Sequence, residues 1–198
     1  MKPAIEDIAL MRSLPNMTVI VPSDDVEARK AVLAAAEYIG PVYLRMARGA
    51  SPTYHREDYQ FELGKGELVQ DGDDITIVAT GLMVPIALEA AKKLEKDGTS
   101  VQVVNIHTIK PLDEDRIVKC AKKTGKIITF EEATVYGGLG AAVCEVLADK
   151  YPVPVKRIGV QDIFGKSGSS EELLREYGLT AEHVVSVAKE MMTDSELV

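Results

Sequence analysis

Two adjacent carboxylates and a glycine-rich turn hold the densest chemistry in the sequence. Glu131 and Glu132 follow the β-branched run Ile127-Ile128-Thr129-Phe130, and a short loop then leads to Gly137-Gly138-Leu139-Gly140 and an apolar helical stretch. In an open α/β sheet, ligands meet the chain at such strand ends. Residues Gly138 to Val143 come close to G-x-G-x-x-G/A, whose three small positions allow a tight turn, close approach of a pyrophosphate and close helix–strand packing. Here the third position is Val143, the loop is longer than a tight turn needs, and both carboxylates would repel a phosphate. We therefore expect a packing turn at this point rather than a cofactor turn.

The other candidates are weaker. Gly165-Lys166-Ser167 resembles the end of a phosphate-binding loop, but Val160 stands where that motif needs its first glycine. Arg45 and Arg48 follow an apolar strand, where a guanidinium suits a substrate phosphate; a surface ion pair is the competing reading. His107 sits at a strand end and is the only plausible acid/base histidine. His55 falls in a polar connector, and His183 on a solvated helix face. Cys120 and Cys144 lie on apolar helix faces and read as buried free thiols, with no metal-ligand spacing.

The elements that must position these residues alternate. Residues 4–14 read as a helix with Ile5, Ile8, Ala9 and Arg12 on one face, 17–21 as a strand, 24–39 as a helix capped by Ser23 or Asp24, and 42–47 as a second strand. Val26, Ala31, Val32 and Ala35 are expected on the inner face of the second helix. Two strands and two helices bury too little surface to be stable alone, so this unit reads as the end of a larger parallel-sheet domain. Residues 49–72 are polar and turn-rich, a linker with one short strand near Gly66–Val69. Strands at 74–80, 101–106, 126–130 and 155–160 then alternate with helices at 83–96, 113–123 and 139–150, and two helices at 170–177 and 180–192 close the chain. Residues 107–113 read as a loop. The expected fold is α/β: an open, twisted, mostly parallel sheet with helices on both faces, preceded by a partial α/β unit.

Composition narrows the class. The 198 residues are 46% hydrophobic, 27% charged and only 5% aromatic, so aliphatic side chains must fill the core. A net charge of −8 disfavours nucleic acid and anionic membrane surfaces as partners. Two lone cysteines and the lack of a signal-like or membrane-spanning stretch point to the cytoplasm. On these grounds alone no reaction is assigned.

Several stretches carry a family likeness. IEDIALMRSLPNMTVIVPSDDVEA followed by GPVYLRMARG resembles the end of a transketolase pyrimidine-binding domain. ITIVATGLMVPIALEAAKKL, VNIHTIKPLD, FEEATVYGGLGAAV and FGKSGSSEELLREYGLTAEHV resemble the transketolase C-terminal domain. The likeness covers nearly the whole chain and is strongest to split transketolases, whose halves are separate polypeptides. It implies a pyrimidine-domain remnant over 1–52, a linker over 53–72, a C-terminal domain over 73–193 and a frayed tail over 194–198. It also implies transfer of a two-carbon ketol unit between sugar phosphates, with thiamine diphosphate and Mg held mainly by parts this chain lacks. By the same likeness, the chain is expected to be inactive without an N-terminal transketolase subunit, and the exposed edge of a truncated sheet favours a homo-oligomer. Arg48 is the one substrate-binding residue carried over, as a contact to the substrate phosphate. No catalytic, cofactor-binding or metal-binding residue carries over, and Lys2 stands where the family places a substrate-binding His. A stand-alone assembly module, and another thiamine-diphosphate family such as deoxyxylulose phosphate synthase or the 2-oxo acid dehydrogenase beta subunits, are the alternatives.

Overall fold

In the computed structural model, which describes residues 4–47 and 51–193, the chain opens with a short helix α1 (Asp7–Ser13), strand β1 (Thr18–Ile20), helix α2 (Asp25–Glu37) and strand β2 (Val42–Leu44). The Asp24 carboxylate accepts the Glu27 N–H and so caps α2. β1 and β2 pair in parallel. The inner face of α2 is narrower than its periodicity implies. Val26, Glu27 and Ala31 are buried, whereas Val32 and Leu33 are 47% and 67% exposed.

The second unit runs β3 (Glu67–Gln70), β4 (Ile75–Ala79), α3 (Met83–Lys96), β5 (Val101–Asn105), β6 (Thr108–Lys110), α4 (Glu114–Thr124), β7 (Ile127–Thr134), α5 (Leu139–Lys150), β8 (Val155–Val160), α6 (Ser170–Glu176) and α7 (Ala181–Thr193). Its five-stranded sheet has the order β3-β5-β4-β7-β8, parallel except for the antiparallel edge strand β3. Burial on both faces explains why its strands read as unbroken apolar runs. One core lies against α3 and α7, around Ile77, Leu94, Phe130 and Val184. The other lies against α1, α4 and α5, around Ile8, Ile117, Val143 and Leu147. Cys120 is buried, but Cys144 is only half-buried.

Two elements depart from the sequence reading. The segment 107–113 is not all loop, because β6 leaves the second unit and pairs antiparallel with β1, giving a three-stranded sheet β2-β1-β6. The strand at 126–130 continues to Thr134, with a register shift against β8 after Phe130. Its extension is held by Thr134 N–H to the Ile5 carbonyl and Val135 N–H to the Val160 carbonyl. Glu131 and Glu132 therefore stand within a strand rather than in a loop. The residues 1–3 and 194–198 lie outside the described residues. Among the described residues, no helix is long and apolar enough to cross a membrane.

Candidate functional site

Strands β1 and β2 end side by side, and the chain leaving each one builds a cleft of about 450 Å³. Ser23, Asp24 and Asp25 come from the end of β1 and the first turn of α2, and Met46 and Ala47 follow β2. Ser51 and Thr53 form a further wall. The Ser51 hydroxyl donates to the Ser23 carbonyl (2.7 Å) and the Thr53 hydroxyl to Asp25 (2.5 Å). Arg29 is the one cation lining the cleft among the described residues, and it is paired with Asp25 at 2.8 Å and with Glu57 at 2.7 Å. A bound anion would have to draw Arg29 from both acids. Arg48 follows Ala47 directly in the chain and lies outside the described residues.

Arg45, the other strand-end guanidinium, does not face a ligand. Its Nε donates to Asp7 (2.9 Å) and its terminal nitrogens to the carbonyls of Glu132 (3.0 Å) and Ala4 (3.2 Å), with the Glu132 carboxylate at 3.4 Å. Tyr43 donates to the same Asp7 oxygen at 2.7 Å, and burial with that contact pushes its hydroxyl up to about 12. Arg45 is an internal tie between β2, α1 and β7.

Behind the cleft lies a buried polar cluster, part of which, around His55, the sequence reading treated as linker. Glu27 is fully buried and accepts from Ser23 N–H and Oγ (both 2.7 Å), Tyr59 (2.9 Å) and Asn105 (2.8 Å). His55 lies between the rings of Tyr54 and Tyr59, with centroids 4.1 and 3.9 Å away. Its Nε2 is 2.7 Å from Glu67 and its Nδ1 is 3.0 Å from Asp24. Burial opposes the imidazolium, but Glu67, Asp24 and Glu27 outweigh it and raise the ring to about 8. Glu27, His55 and Glu67 bring ligand-type atoms within 4.8 Å of one another. A cation there would have to displace the four donors on Glu27, so hydrogen bonding is the chemistry this trio already performs.

The glycine turn has an occupant of its own. The Leu139 and Gly140 N–H groups, at the start of α5, donate to the two oxygens of Glu131 at 2.7 and 2.8 Å. These are the backbone donors that would otherwise cradle an anion at a helix N-terminus. An added Cβ on Gly138 would fall on Glu131 Oε2 and within 2.9 Å of the Thr134 carbonyl, so the close approach of the turn serves an internal carboxylate. Burial pushes Glu131 up to about 7 against the pull of the Gly140 and Leu139 N–H groups. Arg12 donates to the Gly137 carbonyl (2.8 Å) and pairs with Glu145, fixing α1 to the same turn.

The remaining candidates separate. Lys166 pairs with Glu176 and its N–H donates to Tyr177, so Gly165-Lys166-Ser167 packs onto α6. His107 is buried, stacks on Phe61 with centroids 4.3 Å apart, and is held down to about 4 mainly by burial, which makes it a poor proton acceptor near neutrality. His183 is exposed on α7. Sequence reasoning did not bring together Asp24, Glu27, His55 and Glu67, which the structure does. The available signal was Tyr54, Tyr59 and Phe61, a run of aromatics inside a polar segment.

Comparison with known proteins places both units. Residues 64–184 match the model of the transketolase C-terminal domain, and residues 2–53 match that of the transketolase pyrimidine-binding domain. The chain is 43% identical over 188 residues to a 6-deoxy-6-sulfo-D-fructose transketolase subunit of Clostridium sp. (strain MSTE9), covering 95% of the chain and 58% of that protein. It is 40% identical over 190 residues to an apulose-4-phosphate transketolase subunit of Phocaeicola vulgatus, covering 96% of the chain and 61% of that protein. A solved structure described as a split-gene transketolase, inactive beta4 tetramer, superposes with a TM-score of 0.93 at 48% identity, covering 96% of this chain and 62% of that one. The chain thus spans about three fifths of the length of these relatives.

Proposed function

Since the chain belongs to the transketolase family, with a C-terminal domain preceded by part of a pyrimidine-binding domain, we propose that it is the C-terminal part of a transketolase and acts only together with an N-terminal partner. The complete enzyme would move a two-carbon ketol unit from a ketose phosphate to an aldose phosphate. The observation that carries this reading is the order of the two family matches along one chain, coupled with their partial coverage of the relatives. Exposed apolar side chains support it: Leu33 on α2 is 67% exposed, and Ile39 and Met46, which flank the edge strand β2 in the chain, are 99% and 53% exposed. Such an edge invites further chain or a second copy, and the relative solved as a beta4 tetramer supports self-association.

The family implies thiamine diphosphate and a divalent metal, and the described residues do not fit them. The one turn with diphosphate-binding form is filled by Glu131, and the one loop with a phosphate-type lysine spends it on Glu176. The partner would supply that site. What this chain contributes is the strand-end cleft, whose cation Arg29 is neutralised by Asp25 and Glu57; Arg48 is proposed as a contact to the substrate phosphate on the family likeness alone.

With thiamine diphosphate and Mg²⁺ present, the purified chain is expected to show no ketol transfer. Transfer is expected once a protein carrying the cofactor-binding domain and the rest of the pyrimidine-binding domain is added. Turnover by the chain alone, or none after reconstitution with such a partner, overturns the proposal. In the reconstituted enzyme, Arg48→Ala is expected to raise KM for phosphorylated substrates about 10- to 100-fold, the scale of one lost charge-assisted hydrogen bond, and to leave unphosphorylated sugars unaffected.

A further inference from the structure

We propose, building on the reading of the strand-end cleft as the substrate site, that His55 is a positioning residue: its protonated ring clamps one wall of the cleft to the edge strand of the C-terminal sheet, and the clamp opens when the ring loses its proton. Two carboxylates flank opposite nitrogens of the ring: Glu67 shares a hydrogen bond with Nε2 (2.7 Å), and Asp24 stands 3.0 Å from Nδ1 as a charge contact outside hydrogen-bond geometry. Only an imidazolium is attracted to both acids; a neutral ring loses that attraction and must turn a lone pair toward one of them. Asp24 is anchored independently, because it caps α2 and accepts the Tyr54 and His55 N–H groups at 3.0 and 2.9 Å. Glu67 has no such anchor among the described residues, so the His55–Glu67 contact is the one that yields.

That contact matters to the cleft through chain connectivity. Ser51 and Thr53, which line the cleft, belong to the same short segment as His55. Their far side is fastened to Ser23 and Asp25, and His55 fastens the near side to β3. A substrate-site wall is thereby held by a residue of the C-terminal domain sheet.

Every charged or titratable group facing His55 can be placed. Asp24, from the β1–α2 connection, is held below the usual carboxylate range by backbone hydrogen bonds despite its burial. Glu27, from α2, is pushed upward by burial. Glu67 comes from β3. Tyr54 and Tyr59, from the same segment as His55, are pushed far above the ordinary phenol range by burial and the nearby acids, and stay neutral. His107, after β5, is already neutral at pH 7. The ring of His55 is raised from 6.5 to about 8. A group raised on folding contributes fully below its unfolded value and loses that contribution as pH climbs through its folded value. The clamp is therefore intact at pH 6.5 and lost above about pH 8.

The test uses the chain by itself, so it does not depend on a partner or on turnover. Nuclear magnetic resonance of the His55 ring is expected to give a midpoint near 8. Amide exchange of residues 51–55, corrected for intrinsic pH dependence, is expected to accelerate up to about fifteenfold between pH 6.5 and 9, the ratio that this midpoint sets. His55→Gln is expected to exchange fast and independently of pH in this segment. Should that variant not fold, Glu67→Gln serves, and is expected to lower the ring midpoint and abolish the acceleration. A wild-type ring midpoint at or below 6.5, or unchanged exchange of 51–55 across this range, overturns the clamp. In the reconstituted enzyme, the clamp appears as a KM for phosphorylated substrate that rises above pH 8 with kcat constant. If reconstitution yields no transfer while the ring and exchange behave as stated, the functional reading falls and the clamp stands.

Discussion

Glu131→Ala is expected to destabilise the chain by about 3–5 kcal/mol, measured as the shift in urea midpoint at unchanged slope. The substitution strips the acceptors from two buried N–H groups at the start of α5, each of which costs roughly 1–3 kcal/mol when left unsatisfied. It also leaves a void beside Gly138 and Gly159, where an added Cβ would meet the Glu131 side chain. Glu131→Gln is expected to fare only slightly better, because its NH₂ must face one of the two N–H donors. The alanine variant should also acquire a property that the parent lacks. With the carboxylate gone, the helix N-terminus becomes an open anion cradle, and sulfate is expected to raise the melting midpoint of the variant more than that of the parent. A pH signature accompanies the loss. The folded Glu131 sits at about 7 against an ordinary 4.5, so the folded state binds the proton more tightly. The contribution of this group to stability is full below pH 4.5 and falls as pH rises through about 7. Glu131→Ala is expected to flatten the stability profile in that window.

Arg45→Met is expected to cost roughly 3–5 kcal/mol, the penalty for removing one partner of a buried ion pair. The methionine fills the space of the stem but leaves Asp7 with Tyr43 as its remaining donor. The other Asp7 oxygen is buried and has no hydrogen-bond partner among the described residues, so the charge is compensated through Oδ2 alone. Two carbonyls, of Glu132 and Ala4, lose their donors as well. The double variant Asp7→Asn, Arg45→Met should recover much of the loss, because it removes the stranded charge together with its partner. A double variant no more stable than the single one contradicts this account.

The alternation of strands and helices was legible because β4, β5 and β7 are β-branched runs bounded by glycine, and because α3 and α4 carry apolar residues at helical spacing. The strand β6 was not, since Thr108-Ile109-Lys110 has no alternation and its partner, β1, lies far back in the chain. The glycine turn was expected to pack rather than bind, on a reason that the structure changes. Glu131 was read as repelling an anion, whereas it takes the anion's place. Arg45 could be placed at a strand end but not turned inward without knowing that Asp7 and Tyr43 would converge on it. The cluster around His55 escaped because polar side chains carry no periodic signal, and their pairing is fixed only when α2, β3 and β5 are brought together.

Strand β6 has a bearing on how genes of this fold can be divided. A gene tolerates a break between domains when each product can complete its own backbone pairing. Here Thr108–Lys110 is encoded with the second unit but completes the sheet of the first. A break between residues 53 and 64 would leave β1 with only β2 beside it in one product, and β6 stranded in the other. The end of the pyrimidine-binding domain and the C-terminal domain are therefore expected to be inherited as a single block. A recombinant that exchanges one without the other must also rebuild the pairing of β1 with β6.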